Sequence, residues 1–145
     1  MQRLLIDGKK ILSGSITISG SKNAALPILA ATILNKKTTI SNIPFVNDIF
    51  TMIELLKFIG LKCKLSKQKN SVEIINTKEN INTIAPYKLV KTMRAGILVL
   101  GPLIARYKKA KVSLPGGCAI GSRPVDLHLF ALKKLGAKIK IKNGY

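Results

Sequence analysis

The chain contains an internal repeat, which restricts the folds open to it. The segment 56–65 reads Leu-Lys-Phe-Ile-Gly-Leu-Lys-Cys-Lys-Leu, and the segment 132–141 reads Leu-Lys-Lys-Leu-Gly-Ala-Lys-Ile-Lys-Ile. Upstream, the apolar segment 24–30 parallels 95–101. The period of roughly 70–75 residues exceeds the ~20–50 residues of solenoid repeats, so the sequence predicts two copies of a small α/β unit.

Each copy is predicted to have the same order of elements. The pattern gives an apolar helix (about 23–34, then about 91–106), a strand (38–43, then 111–114), an amphipathic helix (48–59, then 125–135) and an alternating strand (61–66, then 137–142), with 72–76 completing the first sheet. Gly60 and Gly136 are expected to end the two amphipathic helices. The second of these helices is expected to pack through a stripe of Leu127, Phe130, Ala131 and Leu135.

The ends of the chain do not fit the repeat. Predicted strands at 4–7 and 15–19 belong to neither copy, and Asn143-Gly144 predicts a two-residue hairpin turn whose return strand would begin at Tyr145. We therefore expect the front part of a longer protein.

Cellular location is predicted from what the sequence lacks. No apolar run approaches the ~18 residues of a membrane span, and the N-terminus does not resemble a signal peptide. The two cysteines, Cys63 and Cys118, form no CxxC pair and are accompanied by a single histidine. We expect a cytoplasmic protein that has no membrane association, no structural metal and no cofactor.

A net charge of +19 suggests a nucleic-acid-binding or other anion-binding domain. The positive charge is nearly all lysine, spread along the whole chain, and aromatic residues make up only 5%. Stacking platforms for single strands need more aromatic side chains than this. We expect no specific nucleic-acid partner, and a non-catalytic anion-binding domain remains an alternative.

Three segments combine residues suited to anion chemistry. One thiol, Cys118, lies in the glycine-rich loop 114–128, with Arg123 five residues further on and a predicted helix start after it. The first helix of each unit begins near a cation, at Lys22-Asn23 and at Arg94. Free backbone N–H groups and the helix dipole favour anions at such positions.

The same segments, 20–27, 86–95 and 114–128, together resemble the bacterial UDP-N-acetylglucosamine enolpyruvyl transferases, which have an EPSP synthase-like fold. The likeness extends through essentially all 145 residues. It implies an inside-out α/β barrel built of repeated small α/β units, here incomplete. Residues 1–21 would be N-terminal strands of the catalytic domain whose remainder is absent. Residues 22–145 would be the first unit and most of the second unit of the other domain, at about 22–80 and 88–145.

The resemblance also implies an activity. The enolpyruvyl group of phosphoenolpyruvate would pass to the 3-hydroxyl of UDP-N-acetylglucosamine with release of phosphate, which is the first committed step of peptidoglycan synthesis. Cys118 matches the proton donor, which is also the residue alkylated by fosfomycin, and Lys22 and Asn23 match residues that hold phosphoenolpyruvate. The positions matching UDP-N-acetylglucosamine contacts are Arg94, Arg123, Pro124, Val125, Asp126 and Leu127.

Two alternative interpretations remain open, and some of the family's catalytic residues have no match in this sequence. The related shikimate-pathway enolpyruvyl transferase is the alternative among enzymes, and a truncated, inactive gene product is the other possibility. The family's carboxylate base and further phosphoenolpyruvate-binding arginines match nothing up to Tyr145. We therefore expect the missing C-terminal part of the same protein to be required for turnover. His128 is interpreted as a packing or orienting residue, and Cys63 is expected to face the core without a function.

Overall fold

A computed structural model describes residues 3–9, 11–77, 81–115 and 125–145. The elements, in order, are α1 (Lys22–Ala31), a 3-10 turn (Thr32–Leu34), β1 (Lys37–Ile40), α2 (Asn47–Ile59), β2 (Lys62–Ser66), β3 (Ser71–Ile75), β4 (Ile84–Ala85), α3 (Tyr87–Val90), a 3-10 helix (Arg94–Val99), α4 (Leu100–Tyr107), β5 (Lys111–Val112) and α5 (Asp126–Lys134). Within these ranges, none of the helices is long and apolar enough to cross a membrane.

The first unit forms an antiparallel sheet covered by helices. The strand order is β1-β3-β2, with Thr38 and Cys63 both opposite Ile74. Successive residues of a strand point to opposite faces, and β3 buries Val72 and Ile74 on one face. The predicted strands 38–43, 61–66 and 72–76 are therefore confirmed, with bounds that differ by at most three residues.

The core lies between α1, α2 and this sheet. The predicted apolar face of α2 is confirmed, because Ile49, Met52, Ile53 and Leu56 are all essentially inaccessible to solvent. Each of these side chains contributes about 1.5–3 kcal/mol through the apolar surface that it buries. From the other side, α1 contributes Leu29 to the same cluster. The core of the first unit follows directly from the 3.6-residue period.

The repeat is visible in how the amphipathic helices end. Gly60 has φ +112°, and the N–H of Leu61 donates to the carbonyl of Leu56 at 3.0 Å. In the second unit Gly136 has φ +91°, and the N–H of Ala137 donates to the carbonyl of Leu132 at 2.9 Å. Both ends use the left-handed glycine termination, in which a six-residue hydrogen bond closes the last turn. The two predicted glycine terminations are thus confirmed.

The first helix of the second unit is less regular than predicted. The prediction of one helix over 91–106 was wrong, since a turn occupies 91–92, a 3-10 helix begins at Arg94 and α-helical geometry begins only at Leu100. Pro102 has no N–H to donate to the carbonyl of Leu98, so the α-helical hydrogen-bond series is interrupted there. The residues before it wind more tightly, with i→i+3 bonding.

The two units are joined along their first helices. Segment 22–34 and segment 94–107 lie side by side, with α1 against the 3-10 helix and α4 against the 3-10 turn. At their carboxyl ends, the buried Asn76 side chain donates to the carbonyl of Ile33 at 2.9 Å and bonds the Tyr107 hydroxyl at 2.9–3.1 Å. The Arg106 guanidinium donates to the carbonyl of Leu34. These polar contacts fix one end of the seam between the units.

Three predictions about the edges of the fold need correction. The segments 4–7 and 15–19 are not strands, and Leu4 and Ile16 are 87% and 86% exposed. Residues 137–142 keep a partly alternating exposure but form no strand. In each case no neighbouring described segment supplies the hydrogen-bond ladder that a strand requires.

The predicted stripe on α5 is also not a packing face, since Leu127 and Phe130 remain largely exposed.

The predicted Asn143-Gly144 turn is confirmed. Lys142 and Tyr145 exchange both backbone hydrogen bonds, at 2.9 and 3.0 Å, and the two central residues have φ +51° and +75°. Positive φ at both central residues is typical of a type I′ hairpin turn. The carbonyl of Gly144 accepts from the N–H of Leu114 at 2.8 Å, so the turn contacts the segment that follows β5.

Candidate functional site

The amino end of α1 is held by a neighbouring loop. The N–H of Gly20 donates to the side-chain oxygen of Asn42 at 3.0 Å, and the side-chain amide of Asn42 donates to the carbonyl of Ile18 at 3.4 Å. A Cβ at Gly20 would lie 1.8 Å from the carbonyl oxygen of Asn42. Because only glycine tolerates that approach, the segment before α1 can lie against Asn42 only with glycine at position 20.

The first residue of α1 is a lysine with a defined partner. The ammonium nitrogen of Lys22 lies 2.8 Å from a carboxylate oxygen of Asp48, in the first turn of α2. Ser21, the residue before α1, makes no side-chain capping bond within the described chain. The first amides of α1 are therefore left to solvent or to a ligand.

Asn23, the second residue of α1, lines a shallow, open depression between the two units, which is called the cleft below. The cleft has a volume of about 410 Å³ and is lined by Asn23, Leu26, Pro27, Arg94, Ala95, Ile97, Leu98 and His128. Pro27 lies inside α1 and has no N–H for the carbonyl of Asn23, so this carbonyl lacks its helical donor. Asn23 thus lines the cleft at the point where Pro27 interrupts the helical hydrogen-bond series.

Arg94 reaches the same cleft from the second unit. It is the first residue of the 3-10 helix, follows the extended residue Met93, and is exposed. A guanidinium in this position can bind phosphate or carboxylate with two parallel hydrogen bonds. Lys91, predicted to open the same helix, instead lies 5.5 Å above the Tyr87 ring. The structure therefore brings together two of the predicted site residues, Asn23 and Arg94, with Lys22 adjacent in sequence.

His128 also lines this cleft. Its side chain is exposed beside Arg94, which does not fit a packing role, whereas an orienting role stays a prediction. In the sequence, His128 lies one turn into a predicted amphipathic helix. That position alone does not show whether the side chain packs against the core or lines a cleft. His128 adds an imidazole, with both donor and acceptor capacity, to a wall that is otherwise mostly apolar.

Among the described residues, the predicted site residues Val125, Asp126 and Leu127 do not line the cleft. Val125 precedes α5, Asp126 is its first residue, and Leu127 is 76% exposed. An acidic residue in the first turn is favourable with the helix dipole, so Asp126 also has an ordinary structural role. Cys118, Arg123 and Pro124 lie outside the described residues.

The other cysteine has the properties of a core residue. Cys63 lies on β2 and packs against the core, as predicted. Burial raises the pKa of its thiol to about 11, and this effect outweighs the lowering by the Lys57 ammonium. A thiol that stays protonated at neutral pH is a poor nucleophile. The expectation that Cys63 has no reactive function stays a prediction.

Comparisons with known proteins give this geometry a family context. The model of the EPSP synthase (3-phosphoshikimate 1-carboxyvinyltransferase) family matches residues 6–145. A UDP-N-acetylglucosamine 1-carboxyvinyltransferase of Pelagibacter ubique is 61% identical over 146 residues, and one of Cellvibrio japonicus is 57% identical over 146 residues. Each alignment covers all of this chain and 34% of the relative, so the chain spans about a third of the length of these relatives.

A solved structure supports the same fold. The enolpyruvyl transferase NikO from Streptomyces tendae superposes with a TM-score of 0.74 at 19% identity, covering 94% of this chain and 30% of that one. At this identity the likeness concerns the fold alone. The predicted α/β architecture of the enolpyruvyl transferase type is confirmed.

Proposed function

Because the chain belongs to the EPSP synthase family, we propose that it forms part of an enzyme that transfers the enolpyruvyl group from phosphoenolpyruvate to the 3-hydroxyl of UDP-N-acetylglucosamine. One observation carries the proposal: the amino ends of the two repeated helices, with Asn23 and Arg94, line one cleft. Anions are favoured at both helix ends, and both substrates of this reaction are multiply charged anions. The names of the relatives favour the UDP-sugar as acceptor over shikimate 3-phosphate.

The predicted site residues form two groups, one for each substrate. Lys22 and Asn23, at the exposed start of α1, would bind the phosphate and carboxylate of phosphoenolpyruvate. Arg94, on the opposite wall, would bind a phosphate of the nucleotide sugar bidentately. Val125, Asp126 and Leu127, at the start of α5, would contact the nucleotide. Arg123 and Pro124, which precede them in the sequence, would contact it as well.

Cys118 would supply the proton that starts the chemistry. Its thiol proton adds to the methylene carbon of phosphoenolpyruvate, while the oxygen of the sugar 3-hydroxyl bonds to the adjacent carbon and its own proton leaves to a base. A proton from the new methyl group would then return to the Cys118 thiolate while the carbon–oxygen bond to phosphate breaks. The enol ether is thereby restored, and phosphate leaves with the electron pair of the broken bond. The base for the sugar hydroxyl would come from a part of the protein beyond residue 145.

The domain arrangement is part of the proposal. Residues 22–145 would form one unit and most of a second, at about 22–80 and 88–145. Residues 1–21 would belong to a separate catalytic domain, completed by later parts of a protein of the relatives' length. The support for this is the exposure of Leu4, Leu5 and Ile6, each more than three-quarters accessible, because apolar side chains in sequence are normally covered. The same proposal places the enzyme in the cytoplasm, in peptidoglycan synthesis.

The test measures phosphate release by the full-length gene product. We expect release with phosphoenolpyruvate and UDP-N-acetylglucosamine, no release when shikimate 3-phosphate replaces the UDP-sugar, and loss of turnover in Cys118→Ala. Fosfomycin should label Cys118, with Cys63→Ala as the matched control that leaves labelling intact. The 145-residue chain alone should show no turnover. Activity with shikimate 3-phosphate, or undiminished activity in Cys118→Ala, would refute the proposal.

A further inference from the structure

The Lys22–Asp48 ion pair has an unusual electrostatic setting. Lys22 is the first residue of α1, and a cation at a helix amino end is disfavoured by the helix dipole. The first turn of α1 contains no acidic residue that would compensate for it. The compensation comes instead from another element, since the Asp48 carboxylate lies 2.8 Å from the ammonium nitrogen.

The position of Asp48 is determined by α2. It lies in the first turn of α2, where an acidic residue is favourable, and the next residue, Ile49, is fully buried in the core. The chain contains only six acidic residues against 25 lysines and arginines, so most of its cations have no carboxylate available as a partner. Asp48, one of these six, pairs with Lys22, which precedes the cleft residue Asn23.

The geometry points to Asp48 as a positioning residue for Lys22, an inference that rests on the proposed role of Lys22 in holding phosphoenolpyruvate. Asp48 restricts the long Lys22 side chain to the amino end of α1, where the side chain would otherwise sample many rotamers. The side chains of Lys22 and Asp48 remain 46% and 33% exposed, so the ammonium keeps donor capacity for an anion while it is held. A ligand would then meet an ammonium that is already in place.

The test compares Asp48→Asn with a matched control in the full-length gene product. Glu73→Gln breaks the Lys37–Glu73 pair, which has a similar separation of 2.9 Å and similar exposure but lies on the sheet. We expect Asp48→Asn to raise the KM for phosphoenolpyruvate about fivefold, the size expected of a partly exposed ion pair. The KM for UDP-N-acetylglucosamine should stay unchanged, and Glu73→Gln should affect neither substrate. Asp48→Glu should restore part of the loss.

The sign of the effect is decisive. If Asp48 were only a nearby negative charge, its removal would tighten the binding of an anion, and the KM for phosphoenolpyruvate would fall. A lower or unchanged KM in Asp48→Asn would therefore overturn the inference, as would equal changes for both substrates. In a Lys22→Met background, Asp48→Asn should have no further effect. A native protein that neither binds phosphoenolpyruvate nor releases phosphate would overturn the proposed function itself.

Discussion

Gly20→Ala is predicted to destabilise the amino end of α1 without disrupting the core. The added methyl group would lie 1.8 Å from the carbonyl oxygen of Asn42 and 3.0 Å from its carbonyl carbon, which are backbone atoms that no rotamer change can move. The two backbones must separate by at least about 1.2 Å to relieve the contact. That movement breaks the hydrogen bonds from Gly20 to Asn42 and from Asn42 to Ile18.

The magnitude follows from those two bonds. Each contributes about 0.5–1.5 kcal/mol net, so the free energy of unfolding should fall by roughly 1–3 kcal/mol. The loss should not be larger, because residues 3–19 are exposed and can move without opening the core. Since Lys22 lies two residues away, the same shift should weaken phosphoenolpyruvate binding in the full-length protein.

Urea denaturation followed by far-UV circular dichroism measures this loss. Gly8→Ala is the matched control, because its Cβ would meet no described atom within 4 Å, and its stability should stay within about 0.5 kcal/mol of the native value. If Gly20→Ala were as stable as Gly8→Ala, the close approach of Gly20 to Asn42 would not be a feature of the folded protein.

Three further predictions concern the rest of the fold. Asn76→Ala should lower the free energy of unfolding by about 1–3 kcal/mol in urea denaturation, because it removes the buried partner of the Ile33 carbonyl and the Tyr107 hydroxyl; an unchanged midpoint would contradict this. In a Cys118→Ala background, alkylation of Cys63 by iodoacetamide at pH 8 should be at least tenfold slower in the folded protein than in urea, since burial raises the pKa of its thiol from 9.0 to about 11. For the same reason, the stabilisation by the neutral Cys63 thiol should be complete below pH 9 and lost as the pH rises to about 11, which a comparison with Cys63→Ala would reveal.

Local patterns predicted the parts of the fold that local physics determines. The apolar period of α2 identified its buried face, and Gly60 and Gly136 identified two helix ends that require positive φ. The Asn143-Gly144 turn follows from the same conformational preference. These features depend on residues a few positions apart, and the structure agrees with them.

Contacts between elements that are far apart in the sequence could not be predicted from local patterns. The Lys22–Asp48 pair joins the amino ends of two helices 26 positions apart, and no periodicity encodes that approach. The exposure of His128 in the cleft depends on where α5 lies against the 3-10 helix. The segments at 15–19 and 137–142 have strand-like sequences, but a strand also needs a partner. The resemblance in sequence supplied the family, and the structure supplied the approach of Asn23 to Arg94.

The contacts between the two units at one end of their first helices influence the distance between Asn23 and Arg94 at the other end. Segments 22–34 and 94–107 begin at the cleft and are fastened at their opposite ends by Arg106, Tyr107 and Asn76. The separation between Asn23 and Arg94 therefore depends in part on side chains that lie about three helical turns away. We expect a substitution of Arg106, Tyr107 or Asn76 to change that separation while leaving every residue that lines the cleft intact.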